Sequence, residues 1–151
     1  MKITEIPGVK YRMAVETDIP FIVTCWKKET YNVFPNFLIN DKIYYKHKAE
    51  EINELLKECK TIVAVSDTDP DQIFGFITFQ QRLDMLLIHY IYIKNPVRNF
   101  GFGSNLIGIV TKEEFPNNPN ILISELPRKN AKEFVEKYGL KYLPSKIKQG
   151  S

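Results

Sequence analysis

The sequence predicts an α/β (α+β) fold with a mixed central sheet of about six strands flanked by four helices. Three observations predict it. Strand and helix patterns alternate along the 151 residues. One apolar strand leads through a glycine turn into a helix and then another strand, a crossover that places its two strands parallel in one sheet. Hydrophobic residues make up 44% of the chain, which is enough for a core without a disulfide or metal. We therefore expect a single domain over residues 1–151.

The first half of the chain predicts a strand, two helices and a hairpin. Asp18 supplies helix-capping chemistry, and Pro20 fits the first turn of a helix, where its missing N–H would have no partner. A polar turn at Asp67–Asp71 separates two β-branched runs and predicts an antiparallel hairpin. The predicted bounds are a strand over 9–15, helices over 19–30 and 41–59 with a loop over 31–39 between them, and strands over 61–65 and 73–79.

The second half predicts three strands and two helices. The run over 86–93 is apolar or aromatic at nearly every position, as expected of a strand that is covered on both faces. Gly139 ends the last helix, because glycine accepts the left-handed conformation at a helix C-terminus. The polar end after Leu143 predicts that the C-terminal strand is shortened or missing. The predicted bounds are strands over 86–93, 121–124 and 140–143, a turn over 98–103, and helices over 104–112 and 128–138.

Composition excludes several classes of protein. Lysine and arginine exceed aspartate and glutamate by 21 to 18, and apart from Lys141, Lys146 and Lys148 no basic cluster predicts nucleic-acid binding. No apolar run reaches the roughly 20 residues that cross a bilayer, and no leader segment opens the chain. Cys25 and Cys59 fit a reducing compartment. We expect a cytoplasmic protein without a metal, since no cluster of possible ligands has metal-binding spacing.

The segment that carries chemical information is RNFGFG, residues 98–103, between a buried strand and a helix. Glycines allow a sharp turn that exposes backbone N–H groups, and a helix N-terminus adds partial positive charge. Such a cradle binds a pyrophosphate, and Arg98 can add a charge-assisted bond. A dinucleotide fingerprint is excluded because Leu106 stands where the third glycine is required. A P-loop is excluded because no lysine separates Gly103 from Ser104.

An Arg/Gln-x-x-Gly-x-Gly/Ala pattern after a central strand resembles the coenzyme A pyrophosphate motif of the GNAT superfamily of acyl-CoA N-acyltransferases. The resemblance extends over most of the chain. Arg12 lies in the first strand, Asp18-Ile19-Pro20 opens the first helix, and residues 131–140 resemble the penultimate helix of the family and the turn after it. The order of strands and helices agrees as well.

The resemblance implies an acetyl-CoA-dependent N-acetyltransferase, in which an amine attacks the thioester directly in a ternary complex. Acyl-CoA would lie where the central strand splays from the next parallel strand, with the pantetheine against the backbone of Ile91 and Ile93. The phosphates would rest on the glycine turn and the helix start, at Arg98, Asn99, Phe100, Gly101, Phe102, Gly103 and Ser104. The acceptor, a small-molecule or protein amine, stays open.

The catalytic groups that the resemblance implies are a base and an acid. No carboxylate lies in the central strand, and His89 is its one titratable base with a pKa naturally near neutrality. The usual acid is a tyrosine about four residues before the helix-ending glycine, where this chain has Val135. Tyr138 is close enough to replace it. The alternatives are that His89 is a buried histidine with its hydrogen bonds satisfied and that Tyr138 only packs at the helix end.

Strand alternation predicts which side chains share a face with His89. Leu87, Ile91 and Ile93 should lie on its face, and Tyr90 and Tyr92 on the other. A second function follows if the catalytic groups are absent: an inactive GNAT-like domain that binds coenzyme A or acts as an interaction or structural protein. The shortened C-terminus would leave a strand edge exposed, and exposed edges favour pairing. We therefore expect a homodimer.

Overall fold

The structure is a computed structural model. It describes residues 5–33, 41–82, 85–98, 100–111, 120–123, 136 and 141–142. The elements, in chain order, are β1 (Val9–Met13), a 3-10 turn (Glu16–Asp18), α1 (Ile19–Val33), α2 (Asp41–Glu58), β2 (Lys60–Ser66), β3 (Ile73–Arg82), β4 (Met85–Ile93), a second 3-10 turn (Asn95–Val97), α3 (Phe102–Ile109), β5 (Asn120–Ile123) and β6 (Lys141–Tyr142).

The strands form one six-stranded sheet in the order β1-β2-β3-β4-β5-β6. The pairs from β1 to β4 are antiparallel. The pairs β4–β5 and β5–β6 are parallel. The mixed sheet of about six strands is therefore confirmed, as are the β2–β3 hairpin and the crossover from β4 through α3 to β5.

Helix boundaries differ from the prediction, above all at the end of the first helix and at the start of the third. The first helix continues to Val33, so the start of the predicted loop over 31–39 is helical. The N–H groups of the residues before Pro35 can still donate to carbonyls of the preceding helical turn. The third helix begins at Phe102 rather than at residue 104, directly after Gly101. Of the predicted helix over 128–138, the structure describes Glu136 alone, which is helical. The end of the chain after residue 142 lies outside the described residues.

Hydrophobic side chains fill both faces of the sheet. On one face, α3 packs on the middle strands, and that cluster contains Ile77, Phe79, Leu86, Ile88, Phe102, Leu106 and Ile107. On the other face, α1 and α2 pack on the same strands, and that cluster contains Ile22, Trp26, Ile52, Val63, Phe76 and Tyr90. The central strand β4 is thus covered on both faces, as its apolar sequence predicts.

An ion pair connects β1 to the start of α1. Arg12 donates from Nη1 to Asp18 Oδ2 at 2.7 Å and from Nη2 to Asp18 Oδ1 at 3.1 Å. Asp18 also accepts the N–H of Val15 at 2.8 Å, and Arg12 donates to the carbonyl of Pro70 at 3.0 Å. The carboxylate of Asp18 is 4% exposed. These contacts hold the start of α1 against the sheet and so fix which side chains of α1 reach β4.

Candidate active site

The segment between β4 and α3 makes a sharp turn at Gly101. This glycine has a φ of +96°, in the left-handed region where a side chain causes strain. A Cβ atom at this position would meet no other atom within 4 Å, so the backbone faces open space. The N–H of Asn105 donates to the carbonyl of Gly101 at 3.0 Å, which closes the first turn of α3. The turn therefore leaves room for a ligand beside the start of α3.

The N-terminus of α3 suits an anion. The first N–H groups of a helix have no acceptor within the helix, and the helix dipole adds partial positive charge there. The first turn of α3, described in full, contains no acidic residue. Phe102 is buried and packs against Phe74, with ring centroids 5.6 Å apart. Because this ring anchors the helix start to the sheet, the polar end of α3 has a fixed position.

The predicted acyl-CoA residues fall into three groups. Gly103 and Ser104 are half-buried in the first turn of α3, while the ring of Phe100 is 64% exposed. Phe102 is in the core, so only its backbone is available to a phosphate. Asn99 lies outside the described residues, and nothing is added to its prediction.

Strand β4 extends beyond its parallel partner as far as the structure describes the two. Residues Met85–Ile88 pair with Asn120–Ile123 of β5. On the other side, the pairing of β4 with β3 continues to Ile93. Among the described residues, the second half of β4 therefore has a strand on one side alone. Ile91 and Ile93, whose backbone the resemblance assigns to the pantetheine, lie in this half.

A β-bulge interrupts β4 at His89. Thr78 of β3 pairs with Tyr90 and the next residue, Phe79, pairs with Ile88, so His89 is the extra residue. Its imidazole is fully buried, and Nε2 lies 2.9 Å from Oε1 of Gln80. Because an amide oxygen only accepts hydrogen bonds, this contact places the proton on Nε2.

The bulge makes the predicted alternation of β4 wrong after Ile88. Ile91 and Ile93 pack against the cluster on the α3 face, and Tyr90 and Tyr92 pack on the α1 face. His89 contacts Gln80, which alternates with Phe79 of the α3 face and therefore lies on the α1 face. His89 thus shares a face with Tyr90 and Tyr92, and not with Ile91 and Ile93. The cause is the extra residue, since one inserted residue reverses every later side chain of a strand.

Arg98 joins the glycine turn to α1. Its Nε donates to the carbonyl of Ile93 at 2.9 Å, and its Nη2 lies 3.1 Å from Oε1 of Glu29. The Arg98 side chain is 43% exposed and the Glu29 side chain 23%. The guanidinium therefore lies at the end of β4, paired with a carboxylate, where sequence analysis predicted only a phosphate ligand.

Glu29 belongs to a polar group between α1 and β4 that sequence analysis missed. Its Oε2 accepts a short hydrogen bond from the hydroxyl of Tyr90. One turn earlier in α1, the Cys25 thiol lies close enough to the hydroxyl of Tyr92 for each group to affect the pKa of the other. We call Cys25, Glu29, Tyr90 and Tyr92 the α1–β4 cluster. A signal was present in the sequence, because Glu29 lies three residues after Trp26 on the predicted buried face of the helix.

Two groups of the α1–β4 cluster stay protonated at neutral pH. Burial, together with Cys25 and the negative charge of Glu29, raises the pKa of Tyr92 to about 12. Burial also raises the pKa of the Cys25 thiol above its ordinary value. A group of this kind donates a hydrogen bond but does not accept a proton or act as a thiolate. Glu29 supplies the carboxylate of the cluster.

Three further observations concern other predicted residues and sites. Tyr138 and Val135 lie outside the described residues, so the acid stays a prediction. Within the parts of the chain that the structure describes, no three His, Cys, Asp or Glu side chains are grouped as metal ligands. None of the helices in those parts is both long and apolar enough to cross a membrane.

A cavity of about 330 Å³ is lined by residues of α1 and α2. These are Thr24, Lys27, Lys28 and Tyr45, and the ammonium of Lys27 lies 5.5 Å from the centre of the Tyr45 ring. The two lysines make this cavity cationic. It therefore does not suit a positively charged acceptor.

Comparison with known proteins shows similarity of structure rather than of sequence. No protein-family model and no curated protein matches the sequence. The structure is similar to that of a proposed acetyl transferase from Pyrococcus furiosus, with a TM-score of 0.70 and 22% identity over 87% of this chain and 93% of that one.

Two similar structures were solved with a coenzyme A ligand. One is a predicted acetyltransferase with acetyl-CoA from Clostridium acetobutylicum, with a TM-score of 0.62 and 19% identity over 91% of this chain and 92% of that one. The other is the PaiA N-acetyltransferase from Thermoplasma acidophilum with coenzyme A, with a TM-score of 0.61 and 17% identity over 87% of each chain. The six-stranded mixed sheet with its flanking helices thus has the fold of the GNAT superfamily of acetyltransferases.

Proposed function

We propose that the protein is an N-acetyltransferase that transfers the acetyl group of acetyl-CoA to a primary amine. One observation carries the proposal. The left-handed turn at Gly101 opens α3 after β4 and the second 3-10 turn, in a fold that the chain shares with acetyltransferases solved with acetyl-CoA and coenzyme A. The turn supplies the open space and the polar helix end that a pyrophosphate requires.

The residues of the site fit acyl-CoA in an extended pose along β4. The pyrophosphate would accept hydrogen bonds from backbone N–H groups between Phe100 and Ser104, and the pantetheine would pair with the backbone at Ile91 and Ile93. These are the β4 positions beyond its described pairing with β5. The thioester would then lie near the bulge at His89, within reach of polar groups on the α1 face.

The reaction is a direct displacement. The acceptor ammonium first gives one proton to a base. The neutral amine nitrogen then attacks the thioester carbonyl carbon, a C–N bond forms, the C–S bond breaks, and coenzyme A leaves as a thiolate. The second proton that the nitrogen loses ends on this thiolate by way of an acid. Backbone N–H donors that polarise the thioester oxygen and the fixed position of both reactants supply much of the rate.

We take His89 as the base and Tyr138 as the acid, which are the roles that the sequence resemblance implies. The imidazole of His89 is fully buried, so a proton from the amine reaches it only by way of water or a neighbouring polar group. Its hydrogen bond to Gln80 engages Nε2. Loss of one limb of the pH–rate profile in His89→Ala would identify the base.

The same burial of His89 favours a second function. A GNAT-like domain without a working base would bind coenzyme A and transfer nothing, and would act as an interaction or structural protein. Both functions predict coenzyme A binding, so binding alone does not separate them.

The experiment that tests the proposal has two parts. Calorimetry with acetyl-CoA and desulfo-CoA measures binding, and we expect both to bind. Release of free thiol from acetyl-CoA is then followed with a panel of primary amines. Amine-dependent thiol release with a matching gain in acetylated amine supports the transferase. Binding without release supports the inactive domain, and no binding at millimolar ligand would rule out both.

Assembly and location rest on the sequence. We propose a homodimer formed at a sheet edge, and β1 and β6 are the edge strands of the described sheet. Light scattering tests the homodimer, and a mass of 17.6 kDa at high concentration would contradict it.

We propose a cytoplasmic location, because thiols such as Cys25 and Cys59 persist in a reducing compartment.

A further inference from the structure

We propose that Glu29 binds the ammonium group of the acceptor, so that the enzyme takes protonated alkylamines in preference to neutral arylamines. The inference rests on the proposed transferase function, because it names the substrate class of the same site. Glu29 lies in α1, outside every residue that the sequence pattern assigned to catalysis or to coenzyme A.

The position of Glu29 supports this role. Its carboxylate contacts Tyr90, the residue directly after the bulge of β4, and Arg98, which begins the glycine turn. Tyr90 lies in the segment of β4 along which acyl-CoA would extend, and Arg98 lies beyond the end of this strand. Glu29 approaches that segment from α1, on the face opposite α3. An acceptor held by Glu29 therefore meets the thioester without crossing the pyrophosphate site.

The carboxylate has room for a further donor. A carboxylate offers about four lone-pair positions, and the contacts with Tyr90 and Arg98 use one on each oxygen. The side chain is 23% exposed, so a ligand can reach it from solvent. An ammonium group has three N–H donors and fits a carboxylate as a charge-assisted partner. The hydroxyl of Tyr90 and the guanidinium of Arg98 fix the orientation of the carboxylate.

The charges near Glu29 predict that acyl-CoA strengthens acceptor binding. Arg98 pairs with Glu29 at 3.1 Å. Before coenzyme A binds, this guanidinium offsets the charge of the carboxylate. The pyrophosphate brings negative charge to the glycine turn and interacts with Arg98, so that Arg98 offsets less of the charge of Glu29. The carboxylate of Glu29 then attracts a second cation more strongly.

The choice of acceptor class follows from ionisation. Alkylamines have a pKa near that of lysine, about 10.4, and arrive at the site as ammonium ions. An arylamine such as aniline is neutral near pH 7 and gains little from a carboxylate. The cavity lined by Lys27 and Lys28 would repel an ammonium ion, so it does not provide a competing site for the same acceptor.

The test compares Glu29→Gln with wild type on n-butylamine and aniline. Loss of one charge-assisted bond should raise the KM for n-butylamine at least about tenfold. The KM for aniline and the dissociation constant of acetyl-CoA should change less than about threefold. Glu29→Asp keeps the charge on a shorter side chain and should give a KM between those of wild type and Glu29→Gln. Glu50→Gln, which removes an exposed carboxylate of α2, is the matched control and should match wild type.

Two outcomes overturn the inference. One is an unchanged KM for n-butylamine in Glu29→Gln, and the other is an equal rise for aniline, which would indicate a general structural defect. If wild type binds acetyl-CoA and acetylates neither amine, the transferase proposal fails. The role of Glu29 is then tested by NMR titration, which measures the binding of n-butylammonium to the coenzyme A complex. We then expect binding by wild type that is stronger with coenzyme A than without it and is lost in Glu29→Gln. No binding by wild type would also overturn the inference.

Discussion

Glu29 and Arg98 are 69 residues apart in the chain and form an ion pair of 3.1 Å between α1 and the start of the glycine turn. Since Arg98 also donates to the carbonyl of Ile93 at 2.9 Å, its side chain connects three parts of the site. They are the end of β4, the helix that carries Glu29, and the turn that opens α3. A change at any one of these three parts should therefore alter the position of the other two.

Replacing Arg98 by alanine should affect ligand binding more than stability. A half-exposed ion pair contributes up to about 1 kcal/mol to stability. A charge-assisted bond to a phosphate contributes about 1.5–3 kcal/mol, which raises the dissociation constant of acetyl-CoA roughly tenfold or more. Urea unfolding and calorimetry measure the two quantities. Arg98→Lys keeps the charge but not the planar fork and should give an intermediate affinity. Unchanged affinity in Arg98→Ala would show that the residue serves the structure alone.

The turn at Gly101 offers a test with an internal control. Gly8 also has a positive φ, +78°, and a Cβ there would likewise meet no atom within 4 Å. Gly101→Ala and Gly8→Ala should both lower the free energy of unfolding by about 1–2 kcal/mol through backbone strain. Only Gly101→Ala should weaken acetyl-CoA binding, by about tenfold, because its turn shapes the pyrophosphate site. Equal affinities in the two variants would place the phosphates elsewhere.

Most of the fold was predictable because it depends on local patterns. The β-branched runs on either side of Asp67–Asp71 gave the β2–β3 hairpin, and the apolar run before RNFGFG gave β4. The bulge at His89 was not predictable, since it arises from the register between β3 and β4 and leaves no mark in the sequence of β4 alone. The predicted faces of Ile91 and Tyr90 were wrong for this reason.

The site was predictable where it is continuous in sequence and not where the fold assembles it. The residues of the glycine turn adjoin one another, so a motif of six residues was enough to find them. Glu29 meets Tyr90 and Arg98 only after α1 has packed on β4, and no local spacing brings the three together. The proposed acceptor site is therefore a tertiary feature, whereas the predicted pyrophosphate site is a local one.

The buried His89 should contribute to stability whether or not it takes part in proton transfer. His89→Ala leaves a cavity and removes one hydrogen-bond partner of Gln80, so the free energy of unfolding should fall by about 2–4 kcal/mol. Gln80→Leu removes the same hydrogen bond without touching the imidazole and is the matched variant. If His89 is the base, only His89→Ala loses the acid limb of the pH–rate profile between about pH 6 and 9. An unchanged profile in both variants would leave His89 with its structural role.

The ion pair of Arg12 and Asp18 should make the stability of the fold depend on acid. Burial acts to raise the pKa of Asp18, but the hydrogen bonds from Arg12 and from the Val15 N–H outweigh it and hold the pKa below its ordinary value. The folded state therefore binds the proton less tightly than the unfolded state. The stabilisation is complete above the unfolded pKa of about 3.9 and is lost as the pH falls through the lower folded pKa.

Asp18→Asn isolates this contribution. Near pH 7 the variant should lose about 1.5–3 kcal/mol, since it removes the charged partner of Arg12 in a part-buried contact. The difference in unfolding free energy between wild type and variant should shrink as the pH falls below about 4, because wild-type Asp18 is then protonated as well. Urea unfolding measured from neutral pH to about pH 2 follows this difference, and Asp67→Asn, which changes an exposed carboxylate, is the control. A difference that stayed constant with pH would show that Asp18 acts through its hydrogen bonds and not through its charge.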